Sequence, residues 1–172
     1  MPLTYQFIAG NTLSTSSTSV TFSSIPQTYT DLVLRVSNAL NGGGPADYWV
    51  RYSGNTSAVY SAFGFRAFQN PPDTISSPNQ NQLFAGWMPG TGYPNARSNN
   101  EIYIPDYTAA RRKQAWINNQ CSQNTATAGE WYVAGIATDF NTSSAITSLT
   151  IGVSNPGFAS GSSFYLYGIK RN

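Results

Sequence analysis

The segment Ile25–Ser37, IPQTYTDLVLRVS, decides how this chain is expected to fold. Pro26 fixes φ and removes a backbone donor, so it ends the strand that precedes it. Beyond it, Leu32, Leu34 and Val36 fall on one face of an extended segment and the intervening residues fall on the other. A period of two predicts a strand with one face in the core.

The rest of the chain repeats this design, with short β-branched and aromatic runs separated by Gly, Pro, Asn and Ser. We predict about eleven strands and no long helix, which is typical of a sandwich or barrel. The predicted strands are Leu3–Ala9, a second ending at Ile25, Asp31–Asn38, Tyr48–Tyr52, Val59–Phe68, Leu83–Trp87, Glu101–Ile104, Gln114–Cys121, Glu130–Thr138, Thr147–Ser154 and Ser163–Lys170. The fold class is therefore all-β: one jelly-roll-like antiparallel β-sandwich domain over residues 1–172.

The same pattern predicts the core, the long loops and one irregularity. Two stretches without periodicity, Gln69–Asn81 and Met88–Arg97, are expected to be long loops of the kind that often carries function. Gly64 inside a predicted strand is expected to mark a bulge. The expected core residues are Leu32, Leu34, Val36, Ile102, Ile104, Leu149, Ile151, Phe164 and Leu166.

Composition narrows the class of protein. Charged residues make up only 9% of the chain, against roughly 25% in an average soluble domain. Its surface must therefore be built largely from uncharged polar residues, as in extracellular or virion proteins. A net charge of +2 is too small to indicate a nucleic-acid partner. No apolar run is long enough to span a bilayer, and the segment Met1–Tyr5 has no features of a secretory signal.

The chemistry of the side chains argues against catalysis. The chain has no histidine, so the usual general base and metal ligand are missing. Its one cysteine, Cys121, lies on a predicted strand and is expected to be a core residue. The seven acidic residues show no spacing that singles out a glycosidase pair. We expect no enzyme activity, no cofactor and no metal.

Two groups of residues are candidates for partner contacts. Arg111, Arg112 and Lys113 form the only basic cluster, which is either a solvated turn or a contact with an anionic partner. The second group comprises aromatic residues that could stack on sugar rings, or else fill the core. Its members are Tyr93, Trp87 and Tyr107, beside long loops, and also Trp49, Trp116 and Trp131, for which the core is favoured.

Three segments resemble small virion proteins of tailed bacteriophages, such as those of cyanophages. They are Ile25–Ser37, Glu101–Gln114 (EIYIPDYTAARRKQ) and Ile146–Lys170 (ITSLTIGVSNPGFASGSSFYLYGIK). The motifs YTDLVL, IYIPDYT and FYLYGI that carry the resemblance are structural, so no active-site residue is transferred with them.

The resemblance implies a jelly-roll-like domain in the phage particle. Because the chain is short and lacks coiled-coil heptads, we expect a capsid cement (decoration) protein rather than a fibre subunit. It would bind the major capsid protein on the capsid exterior, as a homotrimer, without nucleic acid or membrane. The alternative is a receptor- or carbohydrate-binding module at the tail or fibre tip.

Overall fold

The computed structural model describes residues 5–68, 72–90, 96–122, 131–154 and 156–170, and these form an all-β structure. Twelve strands occur in this part of the chain. They are β1 (Tyr5–Thr12), β2 (Ser19–Phe22), β3 (Asp31–Asn38), β4 (Ala46–Tyr52), β5 (Tyr60–Phe68), β6 (Asp73–Gln80), β7 (Leu83–Met88), β8 (Ser98–Ile104), β9 (Lys113–Ser122), β10 (Trp131–Phe140), β11 (Leu149–Val153) and β12 (Ser163–Ile169). No described segment is a helix long and apolar enough to cross a membrane.

The strands form two antiparallel sheets. The large sheet has eight strands in the order β1-β12-β3-β8-β9-β10-β5-β6, and the small sheet has four in the order β2-β11-β4-β7. Eight strands define a jelly roll when numbered along the chain: β2–β7, β10 and β11. When these eight strands are renumbered 1 to 8, the strand order is 1-8-3-6 in the small sheet and 2-7-4-5 in the large sheet, which is the order of a jelly roll. In the large sheet, the hairpin β8–β9 is inserted between jelly-roll strands 2 and 7, which are β3 and β10. The expected β-sandwich is confirmed.

Strand β3 lies inside the large sheet, between β12 and β8. Leu32, Leu34 and Val36 point towards the small sheet and are buried, as the period of two predicts. Leu34 lies opposite Leu166 on one side and Ile102 on the other, so three aliphatic side chains form a row across the sheet. All nine residues predicted for the core are buried, which confirms that part of the expectation.

One predicted loop is wrong. Residues 73–80, placed in a loop by their Pro, Asn and Ser content, form strand β6 at the edge of the large sheet. Pro78 is tolerated there because an edge strand has no partner on its outer side. The sequence favoured a loop because only Ile75 of this strand is buried, so no alternation was visible.

The bulge predicted at Gly64 is also misplaced. The register of β5 against β6 shifts between Tyr60 and Ala62, whereas Gly64 pairs regularly with Ile136. Gly64 is needed for a different reason. A Cβ at this position would lie 2.2 Å from the carbonyl oxygen of Gly135, so only glycine allows the two backbones to approach so closely.

Candidate functional site

The outer face of the large sheet carries exposed apolar side chains. Among the described residues, seven large hydrophobic side chains are exposed, and all lie on strands of this sheet. They are Tyr5, Phe7, Phe63, Phe65, Trp116, Val133 and Tyr165. Isolated exposed apolar residues need no explanation, but a contiguous group on one sheet face indicates an interaction site.

Four of these side chains form what we call the apolar patch: Phe63, Phe65, Trp116 and Val133. Strand β10 runs through its centre, with β5 on one side and β9 on the other. In the register of the sheet, Ala137 lies between Phe63 and Trp116. The patch side chains are between 43% and 55% exposed.

Gly135 explains how the rings of the patch meet. It lies opposite Phe65 and has no side chain, so the rings from both neighbouring strands lean over it. A Cβ on Gly135 would lie 2.7 Å from Cζ of Phe65 and 3.0 Å from Cζ2 of Trp116. Aromatic rings that cover a glycine of a neighbouring strand shield its backbone, which is a known way to stabilise a sheet.

A second aromatic group lies at the β1 edge of the same face. The rings of Tyr5 and Phe7 pack edge-on against Tyr167, at centroid distances of 6.1 and 5.9 Å. The guanidinium carbon of Arg35 lies 5.4 Å from the centroid of the Tyr5 ring. The Tyr165 ring covers Gly10, since a Cβ there would lie 2.7 Å from its Cδ1 atom.

Between the two aromatic groups lies a shallow depression of about 440 Å³, which we call the polar groove. It crosses β12, β3, β8 and β9. Most of its lining is polar: Arg35, Ser37, Asn99, Asn100, Glu101, Asn118, Gln120, Ser163 and Tyr165, together with Val36. Its two charges neutralise each other, because Arg35 Nε donates to Glu101 Oε2 at 3.0 Å.

The basic cluster does not form one positive surface. Arg111 pairs with Asp106 and Arg112 pairs with Asp139, and both arginines are exposed. Lys113 is buried, and its ammonium group donates to the carbonyl oxygens of Ala109 and Arg111, each at 2.5 Å. Burial lowers the pKa of Lys113, and the nearby Arg111 lowers it further. Lys113 therefore holds the turn that precedes β9 instead of facing a partner.

The aromatic residues chosen from the sequence lie elsewhere. Tyr107 is fully buried, and its hydroxyl donates to the carbonyl oxygen of Pro26, so its ring is closed to a surface ligand. Trp87 is half-buried and stacks on Tyr132 at a centroid distance of 5.4 Å. Tyr93 lies outside the described residues.

The remaining tryptophans were expected in the core. Trp49 is half-buried on the small sheet, where it packs under the guanidinium group of Arg51 at 4.4 Å. Trp116 was expected in the core but is 43% exposed, in the apolar patch. The side chain of Trp131 lies outside the described part of the structure.

Sequence reasoning missed the apolar patch, although β5 carries a signal for it. In this strand the large residues Phe63 and Phe65 alternate with the small residues Ala62 and Gly64. The pattern places Phe63 and Phe65 on one face of the strand but does not show whether that face is the core face. The small residues point inward, because the core beneath them is already filled by Tyr60, Tyr132 and Ile136.

The fold places this protein in the class of two-sheet β-sandwiches. Comparison with known proteins assigns it to no family within that class. No protein-family model matches the chain. A search of curated proteins found no significant match. The exposed outer face of the large sheet and the resemblance noted in the sequence are the observations that bear on its function.

Proposed function

We propose that this protein is a structural component of a tailed-bacteriophage virion, and specifically a cement protein that binds the major capsid protein on the capsid exterior. Its resemblance to small phage virion proteins supplies the setting. The observation that carries the proposal is the apolar patch, because Phe63, Phe65 and Trp116 are held exposed on a rigid sheet. Because these side chains are already ordered on the sheet, little conformational entropy is lost when a partner covers them.

The composition of the binding face suits a protein partner. Aromatic residues and arginine are enriched at the centres of protein interfaces, whereas lysine is depleted. The outer face follows this pattern, with Trp116, Phe65 and Arg35 exposed on it. Eight strands spaced about 4.8 Å apart give a face roughly 34 Å wide, which is enough for an interface of standard size.

The carboxylates support a binding role rather than catalysis, because most are engaged in structural contacts. Glu101, Asp73, Asp106 and Asp139 each pair with an arginine. Asp31 accepts hydrogen bonds from the Tyr103 hydroxyl at 2.8 Å and from the Asp106 backbone N–H at 3.0 Å. A glycosidase instead needs two carboxyl groups that face each other across an open cleft.

The proposal includes a homotrimer. Capsids of tailed phages offer threefold positions where neighbouring subunits meet, and a trimer would bridge them with three copies of one weak contact. Linked contacts strengthen one another through effective concentration. Arg111 and Arg112 would lie at the rim of such an assembly. Because rim charges stay in contact with solvent, they would affect the rate of association more than affinity.

The test is to rebind purified protein to phage particles that lack it. We expect the natural protein to bind the capsids and to raise the temperature at which they release DNA. The double variant Phe63→Ser/Phe65→Ser should keep the fold at a lower unfolding temperature, because both rings are half-exposed and Phe65 covers Gly135, and it should fail to bind at temperatures where it is folded. Phe7→Ser is the matched control: it removes an exposed ring outside the apolar patch and should bind like the natural protein. Normal binding of the double variant would reject the patch as the docking surface.

A further inference from the structure

The polar groove differs from the apolar patch in its chemistry. We propose that it is a binding site for a neutral oligosaccharide. Its uncharged lining includes Ser37, Asn99, Asn118, Gln120 and Ser163. Amide and hydroxyl groups offer both donors and acceptors, which is what sugar hydroxyl groups require.

Much of this hydrogen-bonding capacity is unused. The side chains of Ser37, Asn99, Gln120 and Ser163 make no hydrogen bond to another described residue. Asn118 is held by one contact, since its Oδ1 accepts from the Trp116 indole N–H at 2.9 Å. That bond fixes the orientation of the amide and leaves its NH₂ group for a ligand. The groove therefore brings several unengaged polar groups around one depression, as ligand sites do.

The charges of the groove favour a neutral ligand. Arg35 and Glu101 pair across β3 and β8, so the groove carries no net charge from its lining. An acidic or basic ligand would gain one attraction and one repulsion of similar size. A sugar hydroxyl, in contrast, can donate to Glu101 and accept from Arg35 without separating them.

Aromatic rings border the groove at both ends. Tyr165 lines it at β12, where its ring lies over Gly10 and its hydroxyl is 3.2 Å from Oγ1 of Thr12. The ring is therefore fixed, yet it is 38% exposed. Trp116 stands beyond Asn118 at the other end. The C–H face of a sugar ring is apolar and can pack on such exposed aromatic faces.

The dimensions fit a short chain of sugars. The groove crosses four neighbouring strands of the sheet, and these span roughly 14 Å from first to last. Its volume of about 440 Å³ lies in the usual range for small-molecule sites. An extended peptide is a poorer match, because peptide grooves rely on apolar pockets for alternate side chains.

The groove and the apolar patch lie on one face of the large sheet and meet at Trp116, whose indole N–H donates to Asn118 of the groove. The groove is centred on β3 and β8 and the patch on β10. Glycan binding is therefore measured on the isolated protein, where no partner covers this face.

The test uses an array of neutral glycans, including cello-, malto-, xylo-, manno- and chito-oligosaccharides, together with acidic ones. We expect at least one neutral oligosaccharide to bind and the acidic glycans to bind less. Calorimetry with that oligosaccharide should then show a loss of affinity of at least tenfold for Asn99→Ala/Gln120→Ala and for Tyr165→Ala.

Gln114→Ala is the matched control, because this exposed amide lies on the same strand β9 outside the groove. It should bind like the natural protein and, like Asn99→Ala/Gln120→Ala, should keep the natural unfolding temperature. Tyr165→Ala uncovers Gly10 and should lower the unfolding temperature, so the amide variant is the decisive one for binding. The proposal is overturned if no neutral glycan binds, if binding survives both groove variants, or if only peptides compete for the site. None of these outcomes depends on capsid attachment, so the virion proposal would be unaffected.

Discussion

Phe65 lies across the backbone of Gly135, with its ring where the side chain of any other residue would stand. The contact joins β5 to β10 at the centre of the apolar patch. The same arrangement recurs on the small sheet, where Trp49 covers Gly152 and a Cβ would lie 2.1 Å from Cζ2. A glycine opposite an aromatic residue thus lets a ring lie against the backbone in both sheets. Among the described residues, a contiguous apolar surface forms around such a pair on the large sheet alone.

Gly135→Ala tests the role of this contact. The added methyl group must push the Phe65 and Trp116 rings outward, which we expect to cost about 1 kcal/mol of stability, as overpacking usually does. Because the patch loses its flat surface, capsid binding should weaken by at least tenfold. Gly152→Ala is the control: it disturbs a ring in the same way, away from the patch. Equal effects of the two variants on binding would contradict the assignment.

Leu34→Ala tests the core beneath the large sheet. Leu34 is fully buried between Leu166 and Ile102, in the middle of the large sheet. Removing its side chain should lower the free energy of unfolding by about 2–5 kcal/mol, through lost burial and the cavity left behind. Urea denaturation measures the change. Val133→Ala removes an exposed aliphatic side chain from the same sheet and should cost well under 1 kcal/mol. A loss in Leu34→Ala as small as that would place Leu34 outside the core.

The prediction from sequence succeeded where local patterning and burial agree. Strand β3 was predicted at Asp31–Asn38, where the structure has it, because Leu32, Leu34 and Val36 alternate clearly and Pro26 ends the strand before it. Strand β6 was missed because an edge strand buries little and needs no regular alternation.

The apolar patch could not be predicted in the same way. Periodicity shows that Phe63 and Phe65 share a face of β5, but it does not show which sheet face is covered. That depends on residues far along the chain, here Tyr132 and Ile136 of β10, whose buried side chains fill the core on the opposite face of the sheet. The polar groove is even harder to predict from the sequence. Its residues Arg35, Asn99 and Gln120 lie far apart in the chain, and only the order of the strands in the sheet brings them together.

Alkaline pH should destabilise the protein. Burial raises the pKa of the Tyr48 and Tyr52 phenols, and it raises the pKa of Tyr132 and of the Cys121 thiol to about 12 each. In the unfolded chain these groups have their ordinary pKa values, which are about 10 for a tyrosine phenol and about 8.5 for a cysteine thiol. Above those values the unfolded state binds fewer protons than the folded state, so stability falls as pH rises towards 12.

Tyr48→Phe isolates one of these groups. Its buried hydroxyl has no hydrogen-bond partner among the described residues, so the variant should be at least as stable as the natural protein at pH 7. Between pH 10 and 12, its free energy of unfolding should fall less steeply with pH than that of the natural protein. The two slopes should differ by up to about 1.4 kcal/mol per pH unit, because one titrating proton has been removed. Chemical denaturation across pH 7–12 measures both effects. An unchanged alkaline slope would show that Tyr48 ionises without unfolding the protein.

The proposed trimer has a direct physical readout. Sedimentation equilibrium of the isolated protein should give close to three times the chain mass of 18.6 kDa. The mass should not depend on Gln114→Ala, which changes an exposed amide on the outer face. A monomer at all concentrations would contradict the trimer and would leave attachment to the capsid to single copies.

The central claim, that this protein coats the capsid of a phage, is tested most directly by immunogold labelling of purified virions with an antibody against this chain. The account predicts gold particles over the whole capsid surface, and their loss from particles assembled with Phe63→Ser/Phe65→Ser. Gold confined to the end of the tail would favour the receptor-binding alternative instead. Virions that carry no label, with the protein found only in the soluble fraction of the lysate, would contradict the claim.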